Sequence, residues 1–190
     1  MKDYNEIIKK YPLLFEDINE LEPFAMFGFE CRNGWYDIIE IACSEIYARY
    51  RTEKHHLDFL KNRLENFPDY LKNKRSFDQE TSEEEIKQKL LAEIEKSSNL
   101  VDEERRKLPK FAQIKEKFGS LRLYMDNISE RVAAILNFAE LMSERICESC
   151  GDSGKTYHMR WHRTLCEKHA VENYGQEAVD KYNNKSKNAE

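Results

Sequence analysis

The chain has 190 residues, of which 40% are hydrophobic and 35% are charged, and its net charge is −5. This length allows one domain with a full core, or barely two small ones. No run of about eighteen uncharged apolar residues predicts a membrane span. The N-terminal stretch MKDYNEIIKKYPLLF lacks the apolar core of a signal peptide, so we expect a cytoplasmic protein with reduced thiols. Five cysteines in that setting favour metal binding over disulfides.

Residues 1–72 are predicted to form helices with one short strand between them. A short helix over 3–15 is expected to end at Tyr11-Pro12. Alternation at Phe27, Phe29 and Cys31 predicts a strand, and Asn33-Gly34 predicts a turn. A helical period then continues through HHLDFLKNRLENF to a break before Pro68. The apolar face of this helix comprises Trp35, Ile39, Ala42, Ile46 and Tyr50.

An acidic segment, residues 73–110, differs in composition from its surroundings. Between 78 and 104 there are ten acidic residues against three lysines. Thr81 or Ser82 before three glutamates predicts a capped helix start. This helix has only a thin apolar stripe, formed by Ile86, Leu90, Leu91 and Ile94. We therefore expect an inserted helix that lies on the surface rather than in the core.

The charge then reverses, with seven bases and one acid from 105 to 122. The stretch FAQIKEKFGSLRLYM alternates apolar and polar residues on both sides of Phe118-Gly119, which predicts a β-hairpin. Asn127 and Glu130 are expected to form a capping box at the start of the next helix. The apolar face of that helix comprises Ile128, Val132, Ile135, Leu136, Ala139 and Met142.

The stretch ICESCGDSGKTYHMRWHRTLCEKHA contains two pairs of metal-binding residues. Cys147-x2-Cys150 and, after fifteen intervening residues, Cys166-x2-His169 supply three thiolates and one imidazole. Zn²⁺ prefers such a set in a closed tetrahedron. Gly151, directly after the first pair, suits a backbone with positive φ. The spacing predicts a structural zinc site, because a catalytic zinc keeps one position open for water.

Two histidines inside this loop are alternative ligands. His158 and His162 have the four-residue spacing of metal ligands on a helix, but a complete Cys₃His set already surrounds them. Histidines in such positions are more often ordinary surface or core residues. We therefore do not expect them to bind the metal.

Enzymatic alternatives have little support in the sequence. LCEKH is similar to the closing knuckle of HNH nucleases, but the loop lacks the Asp-His pair and the following Asn that activate water on a metal. Cys31 and Cys43 are expected to be buried and to behave as small hydrophobes. An HNH-like nuclease is kept as an alternative, and no catalytic residue is predicted.

The basic hairpin is the second candidate site. Charge-assisted hydrogen bonds and stacking on aromatic rings would let it hold an anionic nucleotide. Charged strand faces are also common in proteins, so a merely solvated face is the competing interpretation. The residues predicted to bind such a ligand are Trp35, Lys115, Lys117, Arg122 and Tyr124.

Taken together, the motifs resemble a family of small bacteriophage and prophage proteins. Four motifs follow one another in the same order as in that family, namely FECRNGWYDII, QIKEKFGSLRLYM, a helix ending in ICESCG, and W-x4-C-x2-H. The resemblance covers most of residues 11–35 and 111–170, whereas the family has a shorter connection at 70–110. It implies a signature beyond the zinc ligands, namely Glu30, Cys31, Gly34, Trp35, Lys115, Lys117, Phe118, Gly119 and Arg122. It implies a phage context but no activity.

The predicted fold is therefore a mainly helical α+β domain with one β-hairpin and a C-terminal zinc knuckle. Residues 1–72 belong to the core, 73–110 form the acidic insertion, 111–182 hold the hairpin, helix and zinc module, and 183–190 form a frayed tail.

The functional expectation is a zinc-stabilised, non-enzymatic binding protein acting in the host cytoplasm. By analogy with other small phage proteins, it would bind a host defence protein or sequester an anionic nucleotide signal. The alternative is a nucleic-acid-binding regulator that uses the zinc module. Five bases and three acids lie between 145 and 169. With zinc and three thiolates included, the module carries only about one positive charge, which is little for phosphate contacts.

Overall fold

The computed structural model describes residues 3–16, 28–75 and 82–187. The helices within these ranges are α1 Tyr4–Lys10, α2 Tyr36–Glu65, α3 Phe67–Arg75, α4 Glu83–Lys107, α5 Glu130–Ser143, α6 Glu167–Tyr174 and α7 Gln176–Lys187. The strands are β1 Phe29–Glu30, β2 Phe111–Lys117, β3 Ser120–Met125, β4 Lys155–His158 and β5 His162–Leu165. The predicted mainly helical α+β class is confirmed. No helix in the described ranges is long and apolar enough to cross a membrane.

The chain divides into two compact units, residues 1–46 with 109–190, and residues 47–108. The second unit contains the later part of α2 together with α3 and α4. An ion pair joins two of these helices, with Arg49 Nε 3.3 Å from Glu104 Oε2. Its buried apolar side chains are Leu57, Leu60, Leu71, Ile86, Leu90 and Val101. The acidic helix thus shares a compact unit that begins near residue 47, whereas the sequence prediction treated 73–110 as a separate insertion.

Helix α4 begins at the predicted capping box. The Ser82 hydroxyl accepts a hydrogen bond from the Glu85 backbone N–H (3.3 Å), and the Glu85 carboxylate accepts one from the Ser82 N–H (3.1 Å). Two of the N–H groups that a helix start leaves unpaired are thereby satisfied. Of the predicted stripe, Ile86 and Leu90 are buried, whereas Leu91 is exposed.

The first unit contains a three-stranded sheet in the order β1-β2-β3. Strand β1 pairs in parallel with β2, and β2 pairs antiparallel with β3. Phe118 (φ 56°) and Gly119 (φ 81°) connect β2 to β3, and two residues with positive φ are typical of a tight hairpin turn. The predicted hairpin is confirmed. The strand predicted at Phe27, Phe29 and Cys31 corresponds to β1. Phe27 lies outside the described residues, and Cys31 follows the end of β1.

Helix α5 covers the outer edge of β3. The Leu121 N–H donates to Ser143 Oγ (2.9 Å), and the Leu123 N–H donates to Glu140 Oε1 (3.0 Å). Edge-strand amides that would otherwise be open to another strand are paired in this way. The cap of α5 is Ser129, whose hydroxyl accepts from the Val132 N–H (3.3 Å). The prediction of Asn127 as the capping residue was therefore wrong.

A second hairpin, β4–β5, lies between the two halves of the Cys/His cluster. The sequence prediction had only one hairpin and missed this one. Helices α6 and α7 follow; of the tail 183–190 that was predicted to fray, residues 183–187 lie in α7 and 188–190 lie outside the described residues. A small apolar cluster holds this region together, formed by Cys147, Tyr157, Leu165, Ala170 and Val179.

Candidate metal centre and hairpin face

The four predicted metal ligands lie close together in the first unit. Cys147 and Cys150 lie in the chain between α5 and β4, Cys166 is the cap of α6, and His169 lies in the first turn of that helix. Their ligand atoms are all within 4.8 Å of one another. A hairpin and a helix start thus bring together residues that are sixteen positions apart in sequence.

Two of the three distances known between these atoms equal those of a tetrahedral site, and the third is shorter. With metal–sulfur bonds of about 2.3 Å and metal–nitrogen bonds of about 2.0 Å, a tetrahedron separates two sulfur atoms by about 3.8 Å and sulfur from nitrogen by about 3.5 Å. Cys150 Sγ and Cys166 Sγ are 3.8 Å apart. His169 Nδ1 is 3.5 Å from Cys147 Sγ and 3.1 Å from Cys166 Sγ. The residues present therefore fit a four-coordinate metal ion.

The backbone of the first knuckle orients Cys147. Its N–H donates to the Asp152 carbonyl (2.7 Å), and its carbonyl accepts from the Gly151 N–H (2.9 Å). Gly151 has the positive φ that the sequence predicted, 86°. Burial alone would raise the pKa of the Cys147 thiol, but backbone N–H groups around the sulfur hold the pKa below its usual value. The first knuckle and the start of α6 together thus favour a thiolate at Cys147, the form that binds a metal, whereas burial raises the pKa of the Cys150 thiol.

A carboxylate lies behind the histidine ligand. His169 Nδ1 faces the sulfur atoms, while its Nε2 is 3.8 Å from Glu172 Oε2. A carboxylate that accepts a hydrogen bond from a metal-bound imidazole orients the ring and increases its basicity, and Glu172 would have to move closer to His169 to do so. Sequence reasoning missed Glu172, although its position three residues after His169 on a helix could have indicated it.

The two remaining cysteines lie outside this cluster. Burial raises the pKa of the Cys31 thiol to about 11, and its sulfur is 3.4 Å from the Tyr4 hydroxyl. Burial likewise raises the pKa of Cys43, which is fully buried. Both thiols are therefore protonated at neutral pH and are poor nucleophiles.

The motif around Gly34 packs directly on the first knuckle. The Gly34 N–H donates to the Glu148 carbonyl (2.9 Å), and a Cβ at Gly34 would lie 2.1 Å from the Cys147 carbonyl oxygen. The Trp35 indole is fully buried and donates to the Ile146 carbonyl (2.8 Å). The prediction that Trp35 offers a stacking surface to a ligand is thus corrected, because no face of its ring is exposed.

Two arginines hold a buried carboxylate beside the knuckle. Glu148 Oε1 lies 3.5 Å from Arg32 Nε and 3.2 Å from Arg163 Nη1. Burial raises the pKa of Glu148, and the two guanidinium groups oppose that rise without cancelling it. These contacts join the segment before Gly34, the knuckle and strand β5.

The tip of the β2–β3 hairpin packs on the β4–β5 hairpin at Gly119. The Gly119 carbonyl accepts a hydrogen bond from the buried Thr164 hydroxyl (2.5 Å). A Cβ at Gly119 would lie 2.9 Å from Thr156 Cγ2 and 3.1 Å from the Arg163 backbone nitrogen. The positive φ and the close contact both explain why glycine occupies this position.

The two hairpins together expose a basic and aromatic surface, which we call the hairpin face. The Phe118 ring is 69% exposed and the Trp161 side chain 71% exposed. The Phe118 ring centroid lies 6.2 Å from that of His162, and Lys117 Nζ lies 5.6 Å from the Phe118 ring. The hairpin face comprises the contacting residues Lys117, Phe118, His158 and His162, together with the adjoining turn residues Arg160 and Trp161, all of them exposed.

The other residues predicted to bind a ligand lie on the β2–β3 sheet. Lys115 Nζ is 5.3 Å from the Tyr124 ring. Arg122 Nη1 donates to Ser120 Oγ (2.6 Å) and to the Leu121 carbonyl (2.9 Å), and lies 3.4 Å from Glu140 Oε2. Arg122 thus positions the same carboxylate that pairs the edge of β3. Ligand binding by Lys115, Lys117, Arg122 and Tyr124 stays a prediction, and Arg122 also has this structural role.

The two basic residues should therefore respond differently to truncation. Arg122→Ala removes three contacts of a half-buried side chain, and we expect it to lower the free energy of unfolding by about 1–2 kcal/mol. Lys117→Ala, at an exposed position, should change it by less than about 0.5 kcal/mol. Urea unfolding of both variants measures this difference, and equal effects would contradict the role assigned to Arg122.

No family model matches the chain, and no curated protein or solved structure is similar to it. Its function must therefore be inferred from the cluster and the hairpin face themselves.

Proposed function

We propose that the chain is a zinc-stabilised binding protein whose hairpin face binds nucleotide units, principally those of single-stranded nucleic acid. The proposal has two parts. The Cys/His cluster holds a structural Zn²⁺, and the exposed residues of the two hairpins contact the phosphates and bases of the ligand.

The donor set supports zinc as the metal. Three thiolates and an imidazole are soft to borderline ligands, which favour Zn²⁺ over the oxygen-preferring Mg²⁺ and Ca²⁺. All four tetrahedral positions belong to protein side chains in this proposal, so the ion contributes to folding and supplies no activated water. Chemical catalysis is accordingly not part of the proposed function.

The observation that carries the ligand assignment is the exposure of two aromatic rings beside two cations. Phe118 and Trp161 have 69% and 71% of their surface exposed, and Lys117 and Arg160 are their sequence neighbours. Stacking of a base on an exposed ring contributes about 1–3 kcal/mol, and cationic side chains bind phosphate through charge-assisted hydrogen bonds.

The backbone at Phe118 gives further support. Its φ of 56° is rare for a bulky aromatic residue, and such strain is found most often at functional sites. A residue such as Asn would adopt this conformation more easily. The tight turn itself requires positive φ here, so an exposed aromatic ring at a position that Asn would fill more easily favours a role in recognition over one in packing.

The small number of cations favours a stacking mode. With Lys117 and Arg160 as the permanent charges of the face, the logarithm of the affinity should fall with the logarithm of salt concentration by a slope of only about −1.4. Most of the affinity then comes from base stacking. Duplex DNA hides the faces of its bases, so a single strand is the preferred ligand.

The resemblance to small phage proteins suggests a second ligand with the same chemical groups. A free nucleotide that signals in host defence also presents a base and a phosphate, and its sequestration would be a counter-defence activity. A free nucleotide has fewer bases to stack, so we expect weaker binding to the open hairpin face than for an oligonucleotide.

Fluorescence anisotropy with labelled single-stranded oligonucleotides tests the proposal. Trp161→Ala should weaken binding by about 5- to 150-fold, the loss of one stacked base. Phe118→Asn should weaken it similarly while keeping a residue that tolerates positive φ. Phe59→Ala removes a ring of the second unit that is 52% exposed, and serves as the matched control with no expected change.

Competition with unlabelled ligands distinguishes single-stranded nucleic acid from a free nucleotide as the ligand. Displacement by single strands but not by mononucleotides or duplex supports a nucleic-acid-binding protein, whereas displacement by a cyclic or linear nucleotide supports sequestration of a signal. If the zinc-loaded protein binds none of these, or if Trp161→Ala binds as tightly as the unaltered protein, the hairpin face is not a nucleotide site.

A further inference from the structure

The β4–β5 hairpin carries two histidines directly opposite each other. His158 ends β4, His162 begins β5, and the two are partners in the register of the sheet. Both side chains are exposed, and their ring centroids are 5.0 Å apart with the ring planes at 88°. Neither is one of the four residues of the Cys/His cluster. The hairpin thus presents two neighbouring imidazoles that the candidate zinc site does not use.

The backbone brings these two side chains together on one face of the hairpin. The His158 N–H donates to the Tyr182 hydroxyl (3.3 Å), which itself donates to the Thr156 carbonyl (3.2 Å), so both backbone groups point away from β5. This is the pattern of non-hydrogen-bonded pairs in an antiparallel sheet, whose Cα atoms are only about 4.5 Å apart. Thr156 and Thr164, the neighbouring pair on the same face, have their hydroxyl oxygens 2.7 Å apart. Opposite side chains on this face therefore lie within reach of a common ligand.

The separation of the two rings is that of two imidazoles on one metal ion. With metal–nitrogen bonds of about 2.0–2.1 Å and each nitrogen about 1.1 Å from its ring centroid, each centroid lies about 3.2 Å from the ion. Two such ligands at an angle of about 90–109° have their centroids about 4.5–5.2 Å apart. The observed 5.0 Å lies within this range. Rotation about the last side-chain torsion, which is broad in histidine, aims a nitrogen of each ring at the ion and leaves the centroids almost in place.

We propose that His158 and His162 together bind a divalent transition-metal ion, such as Zn²⁺, Ni²⁺ or Cu²⁺, at a second metal site. Imidazole suits these ions, whereas Mg²⁺ and Ca²⁺ prefer oxygen ligands. Two protein ligands leave the remaining positions of the ion to water or to an anionic group. The site differs in this respect from the Cys/His cluster, whose four side chains would complete a tetrahedron. It requires no nucleotide, so it stands independently of the proposed function.

The cations of the hairpin face limit the strength of this site. Arg160 lies in the turn between the two histidines, and Lys117 Nζ lies 5.6 Å from the Phe118 ring, which contacts His162. Their positive charges repel a metal ion, although salt at about 0.15 M screens exposed charges beyond about 8 Å. We therefore expect an ion that exchanges readily and is removed by dialysis, in contrast to the zinc of the Cys/His cluster.

Calorimetric titration of the untagged, zinc-loaded protein with Ni²⁺ tests the inference. One Ni²⁺ per chain should bind while metal analysis shows that the zinc is retained, and Mg²⁺ should not bind. Two linked ligands bind about 10²- to 10⁴-fold more tightly than one, so His158→Ala and His162→Ala should each weaken Ni²⁺ binding by about 100-fold or more. His55→Ala is the matched control, because His55 is exposed on α2 beside His56, and adjacent residues of a helix do not face each other. Absence of Ni²⁺ binding, no effect of the two hairpin variants, or an equal loss in His55→Ala would each overturn the proposal.

Nuclear magnetic resonance locates the ion without any substitution. In protein with ¹³C-labelled histidine, a small amount of Ni²⁺, which is paramagnetic when octahedral, should broaden the ring signals of His158 and His162 together. The signals of His55 and His56 should stay sharp. Broadening confined to His169 would place the ion at the Cys/His cluster and would overturn the proposal. Because neither measurement includes a nucleotide, this failure would be distinct from failure of the proposed function.

Discussion

Replacing Cys166 with Ser is expected to release the metal and to unfold the C-terminal part of the first unit. Structural zinc contributes about 10–16 kcal/mol of apparent binding free energy in small zinc modules, which is comparable to the whole stability of a typical domain, about 5–15 kcal/mol. The apolar cluster that remains is small, being formed by Cys147, Tyr157, Leu165, Ala170 and Val179. Even with the partly buried Met159, Val171, Tyr174 and Tyr182 packed against it, we expect a core of this size not to hold two short strands and two helices without the metal.

Metal analysis and hydrogen exchange measure the two consequences. Zinc should fall from one per chain to near zero, and the amides of β4, β5 and α6 should lose their protection. Cys31→Ser is the matched control, because Cys31 is half-buried and lies outside the cluster. It should retain the full zinc content. A Cys166→Ser protein that still binds one zinc and keeps its protection would contradict the structural role.

The Cys/His cluster could be predicted from the sequence because each half of it is local. Two cysteines two residues apart share one turn, and Cys166 and His169 share the start of one helix, so spacing alone brings each pair together. The hairpin at Phe118-Gly119 and the cap at Ser82 could be predicted for the same reason. In all three, the signal and the structure it predicts lie within a few residues.

The features that were missed depend on contacts between distant segments. Helical periodicity places Trp35 on an apolar face but does not say that the Ile146 carbonyl receives its indole N–H. A charge count makes Arg122 a candidate ligand-binding residue, whereas its contact with Glu140 appears only when α5 lies against β3. The β4–β5 hairpin has strands of four residues and a turn, Met159–Trp161, without glycine or asparagine. It therefore lacks the usual hairpin signal.

Exposed surfaces cannot be predicted from local sequence patterns either, because they are assembled from distant segments, as the hairpin face shows. Phe118 and His162 are forty-four positions apart in sequence, and their rings meet only because the tip of the β2–β3 hairpin packs on the β4–β5 hairpin at Gly119. Similarly, the apolar residues of α5 divide between buried side chains such as Val132 and Leu136 and an apolar groove against α2, along which Phe138 is exposed. A periodic pattern identifies an amphipathic helix, but it does not identify the part of its apolar face that stays uncovered.

Gly34→Ala should be the most destabilising substitution of a residue that is not itself a metal ligand. A Cβ at this position would lie 2.1 Å from the Cys147 carbonyl oxygen and 2.6 Å from the Glu148 carbonyl carbon. These are backbone atoms and cannot turn aside as a side chain would. The Cys147 carbonyl also accepts from Gly151, and the Glu148 N–H donates to the Thr164 carbonyl, so hydrogen bonds hold both residues in place. We expect a loss of more than about 4 kcal/mol of unfolding free energy together with weaker zinc binding.

Gly28→Ala separates this steric effect from the general cost of replacing a glycine. Gly28 has a φ of 59° and nothing within 4 Å of its would-be Cβ, so alanine there should cost only the backbone strain of about 1–2 kcal/mol. Urea unfolding and competition for zinc with a chromophoric chelator, applied to both variants, compare the two. Equal losses of unfolding free energy in the two variants would mean that the backbone at Cys147 and Glu148 shifts to make room for the methyl group. The contact with Gly34 would then not constrain the knuckle. A large loss confined to Gly34→Ala would explain how a motif more than a hundred residues from the cysteines, and without a metal ligand of its own, stabilises the metal centre.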